Sequence, residues 1–207
     1  MRDYLYIWHD LETQAIVACG LEFKDLMISL NTQGGVLLID HQSTCQGYDA
    51  ESRFNFVARS DLPILASENI YSWGNFVWAD YASPTFPAIS NGDIAELLFF
   101  AHKAIPLRTI AIPQLGNKFL CYEHDDGWYM RLYYTDWKYV EDLIVSAIPS
   151  NIGTLNASEL REGGYGYWLQ GGERCQEEKT HDVDRILNRR LVKNAVSLNK
   201  VKVRKKS

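Results

Sequence analysis

The chain has little that would staple it, string it out or carry it through a bilayer. Its four cysteines, Cys19, Cys45, Cys121 and Cys175, stand 26, 76 and 54 residues apart. A structural zinc site draws its ligands in close pairs, because two neighbours on one turn pre-organise half of the tetrahedron, and no CxxC pair is present. Disulfide frameworks belong to short exported chains, so these thiols are expected free and mostly buried. The six prolines do not gather into a linker, and no repeat or low-complexity segment interrupts the 207 residues. The most apolar stretches, around 94–101 and 143–148, fall far short of the roughly 20 residues that span a bilayer. The opening MRDYLYIWHD carries Asp3 and lacks the apolar core of a secretory signal, and no lipidation motif is present. A soluble, cytoplasmic protein is expected.

Recognisable catalytic motifs are missing as well. There is no Gly-x-Ser-x-Gly elbow and no cysteine beside a histidine. The glycine-rich run 163–172 has neither the Lys-Ser/Thr of a phosphate loop nor the third glycine of a dinucleotide fingerprint, so it is read as a flexible loop. No resident cofactor is expected and no residue is assigned as a metal ligand.

What is present is a globular composition, 46% hydrophobic and 23% charged, with an uneven charge distribution. The formal net charge of −5 conceals a split: 185–207 hold nine basic residues and no acidic one, leaving −14 on 1–184. The expected organisation is a single acidic domain over 1–180 and a basic helix and tail over 181–207.

Periodicity fills in the domain. Tyr4 to Trp8 and Gln14 to Ala18 read as a hairpin, Val36 to Asp40 as a buried strand, and Phe54 to Ala58 as another strand. The stretch 21–30 fits a strand or a helix. Ser90 and Asp93 open a helix over 92–104, with Ile94, Leu97, Leu98, Ala101 and Ile105 on one face. Residues 118–134 read as a second hairpin turning at Asp126-Gly127. Thr135 then caps a helix over 136–148 with Trp137, Val140, Ile144 and Ala147 in one stripe, stopped by Pro149. A last helix over 182–198 carries arginines on its polar side. The expected fold is α+β: a mainly antiparallel β-sheet with two or three packed α-helices and a basic C-terminal helix.

Three groups of residues are candidates for function. Four of the five histidines neighbour an aspartate (His9-Asp10, Asp40-His41, His124-Asp125 and His181-Asp182), and His102 is the fifth. His124, Asp125 and Asp126 form the densest group, an imidazole and two carboxylates on one turn able to hold a divalent ion or activate water. With Asp10 and His41 at other strand ends they make up the catalytic candidates of a metal-dependent hydrolase or nuclease. Asp10 followed by Glu22-x-Lys24 also has the acid, then acid-x-lysine, layout of many restriction-type nucleases. Against this, Asp and Gly are what a tight turn needs, and neighbours on a strand point to opposite faces.

The second group is aromatic. Trp73, Trp78, Tyr81, Tyr165, Tyr167 and Trp168 fall in turn-rich segments and suit an interface, where a large ring buries area while its polar tip stays satisfied. The third is basic: Arg185, Arg189, Arg190 and Lys193 on the last helix, with Lys202, Arg204 and Lys205 beyond it. These suit contact with nucleic-acid phosphates through charge neutralisation, although a −14 body repels a polyanion. The leading expectation is a non-enzymatic, immunity- or inhibitor-like protein that docks a basic protein partner through an acidic, aromatic-rich surface. The metal-dependent hydrolase or nuclease is the alternative.

Overall fold

Apolar side chains on both faces of the central strands dictate the architecture. In the computed structural model the residues described are 4–39, 41–51, 53–82, 112–124, 129–148, 157–162 and 165–169. All lie in Met1–Glu173, the first of the two units into which the chain divides. Among them, nine strands form one sheet: β1 (Tyr4–Asp10), β2 (Ala15–Cys19), β3 (Gly35–Ile39), β4 (Tyr48–Asp49), β5 (Phe54–Ala58), β6 (Phe76–Tyr81), β7 (Phe119–His124), β8 (Tyr129–Tyr134) and β9 (Tyr165–Leu169). Their order is β4-β5-β3-β6-β7-β8-β2-β1-β9, and each of these pairings is antiparallel.

Helices α1 (Phe23–Ser29), α2 (Leu62–Leu65), α3 (Trp137–Ala147) and α4 (Ala157–Arg161) accompany the sheet. α1 packs against both α2 and α3, and α3 against α4. The fold is α+β, as the periodicity predicts. No helix among the described residues is long and apolar enough to cross a membrane.

Alternation along each strand sorts side chains into two cores. The row Leu38–Trp78–Cys121–Leu132–Ile16–His9 runs across six strands in register on the helix side. There it meets Phe23, Leu26 and Met27 of α1 and Val140, Leu143 and Ile144 of α3. The neighbouring row Leu37–Ala79–Leu120–Tyr133–Ala15–Asp10 lies on the other face. Its apolar members belong to a second buried core with Phe54, Phe56 and Tyr81.

Entry into β3 needs two glycines. A Cβ on Gly34 would run into the Tyr81 ring, and one on Gly35 into the Val57 carbonyl. The Thr32 hydroxyl closes this corner by donating to the Tyr81 carbonyl at 2.7 Å.

Two local readings change. Thr135 does not cap α3 and still belongs with the β7–β8 hairpin, its N–H donating to the Lys118 carbonyl at 2.9 Å. Asp136, one residue on, is the cap: its carboxylate accepts from the Lys138 N–H at 2.8 Å. Within the glycine-rich run, Tyr165–Leu169 is not a loop but strand β9, paired with β1. The helices expected over 92–104 and 182–198 lie outside the described residues.

Asp80 sits just beyond the last β6–β7 register pair, Ala79 and Leu120. Its Oδ1 accepts from the backbone N–H groups of Lys118 at 2.8 Å and Phe119 at 2.7 Å, holding the start of β7 in place. Burial pushes its pKa up to about 6 against the opposing pull of those donors. An acid whose folded pKa exceeds its unfolded value binds its proton more tightly when folded. The stability this adds is full below pH 4 and is lost as pH rises through 6. Asn keeps the acceptor without the titration. The stability of wild type relative to Asp80→Asn is therefore expected to fall by on the order of 2 kcal/mol between pH 4 and 7. Urea unfolding at several pH values measures this, and a pH-independent difference would refute it.

Candidate functional site

Strand direction decides which candidates can meet. β3 and β7 run the same way, so His41, two residues beyond β3, and His124, at the end of β7, lie at one end of the sheet. Asp10, at the end of β1, lies at the other. His124 is in register with Tyr129 and Tyr129 with Cys19, whereas Asp10 is opposite Ala15. The separation is about 13 Å along the strands and three strands, about 14 Å, across them. His41 and His124 are also divided by the sheet. His41 stacks on Trp73 at 5.1 Å and meets Phe76 edge-on at 5.5 Å, on the helix side. His124 lies edge-on to Tyr122 and Tyr129, each 6.2 Å away, on the other side.

Asp10 is committed to structure. One carboxylate oxygen accepts from the N–H groups of Glu12 at 3.1 Å and Thr13 at 3.4 Å, forming the β1–β2 turn in which Gln14 takes a left-handed φ of 55°. The other accepts from the Arg131 guanidinium at 2.8 Å. The same Arg131 nitrogen donates to the Thr13 hydroxyl at 2.8 Å, and its neighbour donates to the Tyr129 hydroxyl at 3.2 Å. Arg131 is 3% exposed and Asp10 25%. Burial raises the Asp10 pKa, but the bonds from Arg131 and Thr13 outweigh it and hold the carboxyl below its ordinary value. Burial pushes Tyr133, on the same face, up to about 12, so it stays protonated and is no base at neutral pH.

His9 points the other way from Asp10, as neighbours on a strand must. Its Nδ1–H donates to the Arg161 carbonyl at 3.1 Å, because a carbonyl only accepts. Nε2 is then free of hydrogen and accepts from the Tyr134 hydroxyl at 2.8 Å. The ring packs on Trp137 at 5.2 Å. Burial lowers its pKa, opposed in part by the Arg161 carbonyl and Asp10, which favours this neutral form. His9 therefore ties β1 to α3 and α4.

Glu22 and Lys24 pair with each other at 2.7 Å at the start of α1, beyond the far end of the β1–β2 hairpin from Asp10. The acid, then acid-x-lysine, layout is thus spread over both ends of the sheet. Among the described residues, no group of three His, Cys, Asp or Glu side chains is placed to hold a metal ion. Asp40, His102, Asp125, Asp126 and His181 lie outside those residues, as do Arg185, Arg189, Arg190, Lys193, Lys202, Arg204 and Lys205.

The aromatic candidates divide. Trp78 and Tyr81 are buried, because β6 is a central strand covered on both faces, and they present no surface. Trp78 donates its indole N–H to Glu123 at 3.0 Å inside the helix-side core, and Tyr81 its hydroxyl to the Val57 carbonyl at 3.2 Å. Trp73 is half-buried against Phe23 and Phe76. Tyr165, Tyr167 and Trp168 stand on β9, in register with Trp8, Tyr6 and Leu5.

Ile28, Tyr71 and Ile64, which are not among the candidates above, are 72%, 64% and 54% exposed. Their signal was faint: an apolar residue sharing a short helix with others looks like core. Compared with protein-family models, curated proteins and solved structures, the chain matches none.

The Asp10–Arg131 pair makes an asymmetric prediction. Asp10→Ala leaves a buried cation without an anion and is expected to cost about 3–5 kcal/mol. Arg131→Leu leaves Asp10 with water access and its turn bonds, and is expected to cost less. The double variant should be more stable than Asp10→Ala alone. Chemical denaturation of the three variants checks this, and strictly additive losses would refute it.

Proposed function

We propose that the chain is a non-enzymatic intracellular binding protein, of the immunity or inhibitor kind, that docks a basic protein partner through an acidic surface bearing apolar and aromatic side chains. The observation that carries this reading is the pairing of acidity with exposed apolar groups. Among the described residues, twelve acidic side chains reach the surface in whole or part against six basic ones. From that surface project Ile28, Ile64 and Tyr71, with Trp73 partly exposed beside them. Large apolar side chains exposed on a protein surface favour a partner that removes them from water. The acidic surroundings steer a positively charged partner and disfavour an acidic one.

The polar residues of the sheet support the same reading. Asp10, Arg131, Asp80 and His9 satisfy one another or the backbone, leaving recognition to the outer layer.

The test is capture from a lysate of the source cells by the immobilised full chain, with the retained proteins identified by mass spectrometry. Basic proteins should be enriched and should elute as salt approaches about 0.5 M, where exposed charges are screened within a few ångströms. Retention that is indifferent to salt, or a retained set no more basic than the lysate, would overturn the reading.

A further inference from the structure

We propose that Tyr134 is a modification site, a hydroxyl that accepts an acyl group from an activated acyl donor with His9 as its base. This goes beyond the binding reading and does not depend on it.

Three groups line up at the end of β8. The Arg161 carbonyl on α4 accepts from His9 Nδ1–H at 3.1 Å, and His9 Nε2 accepts from the Tyr134 hydroxyl at 2.8 Å. This is the order that activates a weak hydroxyl: an orienting acceptor, an imidazole held in one tautomer, and the hydroxyl on its bare nitrogen. Register brings the pair together. His9, Ile16 and Leu132 share one row across β1, β2 and β8, and Tyr134 is the next residue of β8 on that face. Trp137, at the start of α3, packs on both rings, 5.2 Å from His9 and 5.9 Å from Tyr134. The hydroxyl and its base are thus held together before any donor arrives.

Burial is graded along this series. His9 is 7% exposed, whereas Tyr134 is only half-buried, so a small donor has access to the tyrosine while its base stays shielded. The charges acting on the pair among the described residues are Asp10, next to His9 on β1, and Arg161 on α4. Burial raises the Tyr134 pKa and the Arg161 cation offsets part of the rise, so at neutral pH the hydroxyl is protonated and needs a base. Burial lowers the His9 pKa, so Nε2 is without a proton there and can serve as one. In the step, the Tyr134 oxygen bonds to the acyl carbon and its proton passes to His9 Nε2. The bond from the acyl carbon to the leaving group breaks, and the leaving group takes the proton from His9. An ester on Tyr134 and the protonated leaving group result, with no change of oxidation state.

The experiment treats the full chain with N-acetylimidazole at pH 7 and 8 and follows each tyrosine by peptide mass spectrometry. Tyr48 and Tyr71, 37% and 64% exposed, are the comparison, because accessibility alone would acylate them first. Tyr134 should be acylated about tenfold or more faster than either. A phenol attacking without a base reacts through its phenolate, about tenfold faster for each pH unit below its pKa. Tyr134, served by His9, should change far less between pH 7 and 8. In His9→Gln, whose amide oxygen accepts from Tyr134 but takes up no proton, the Tyr134 rate should fall about a hundredfold.

Acylation of Tyr48 and Tyr71 ahead of Tyr134 would overturn the site. A tenfold rise per pH unit at Tyr134 in wild type would overturn the base. Both readings come from the native chain and hold even where His9→Gln fails to fold. An unchanged Tyr134 rate in folded His9→Gln would also overturn His9 as the base. Capture of basic proteins by the chain is untouched by any of these results.

Discussion

Everything else in the structure follows from one constraint, the burial of a single antiparallel sheet on both faces. Such a sheet is free to leave one face to water, and its strands then alternate apolar with polar. Here the rows containing Trp78 and Tyr133 are both buried, so the central strands are apolar on either side. A polar residue on these strands is carried into a core, where an unmet buried polar group costs about 1–3 kcal/mol. The Tyr133 hydroxyl is one such group, with no hydrogen-bond partner among the described residues, and the others are met. Asp80 finds two backbone donors, Trp78 finds Glu123, and Arg131 finds Asp10, Thr13 and Tyr129.

The same constraint sorts structural from functional polarity. Groups that look like chemistry in the sequence, such as the His9-Asp10 dipeptide, are divided by the strand they share. Each is consumed on its own side, His9 by α3, α4 and Tyr134, and Asp10 by Arg131. Among the described residues, the large apolar side chains most exposed to water are Ile28, Tyr71 and Ile64.

Where structure is local, it was readable. The hairpins β1–β2 and β7–β8 follow from alternation and turn residues, and α3 from the stripe Trp137, Val140, Ile144 and Ala147, to which the structure adds Leu143. α1 stayed open between strand and helix because Leu26, Ile28 and Leu30 alternate, and burial of Phe23, Leu26 and Met27 at i, i+3 and i+4 decides it. β9 was read as loop because its glycine-rich surroundings suggest one, and only pairing with β1 makes it a strand. α4, five residues long, is too short for periodicity to register. The candidate sites were less legible still. Tyr81 and Tyr71 are the same residue type in the same aromatic segment, yet one is core and the other surface. That difference lies in the sheet position of β6, which no local pattern encodes.

Native thiols give a direct test of two-sided burial. Cys121 faces the helix-side core and Cys19 the opposite face, and both are buried, whereas Cys45 is half-exposed. The measurement is native-state thiol labelling across a urea series in a chain carrying Cys175→Ser. If the sheet is locked from both sides, Cys19 and Cys121 become reactive only through global unfolding, with one shared free energy and one shared urea dependence, while Cys45 reacts far sooner. If Cys19 is labelled through an opening that needs clearly less free energy and little urea dependence while Cys121 stays protected, the second face is not part of the cooperative core. The constraint on which this account rests would then be contradicted.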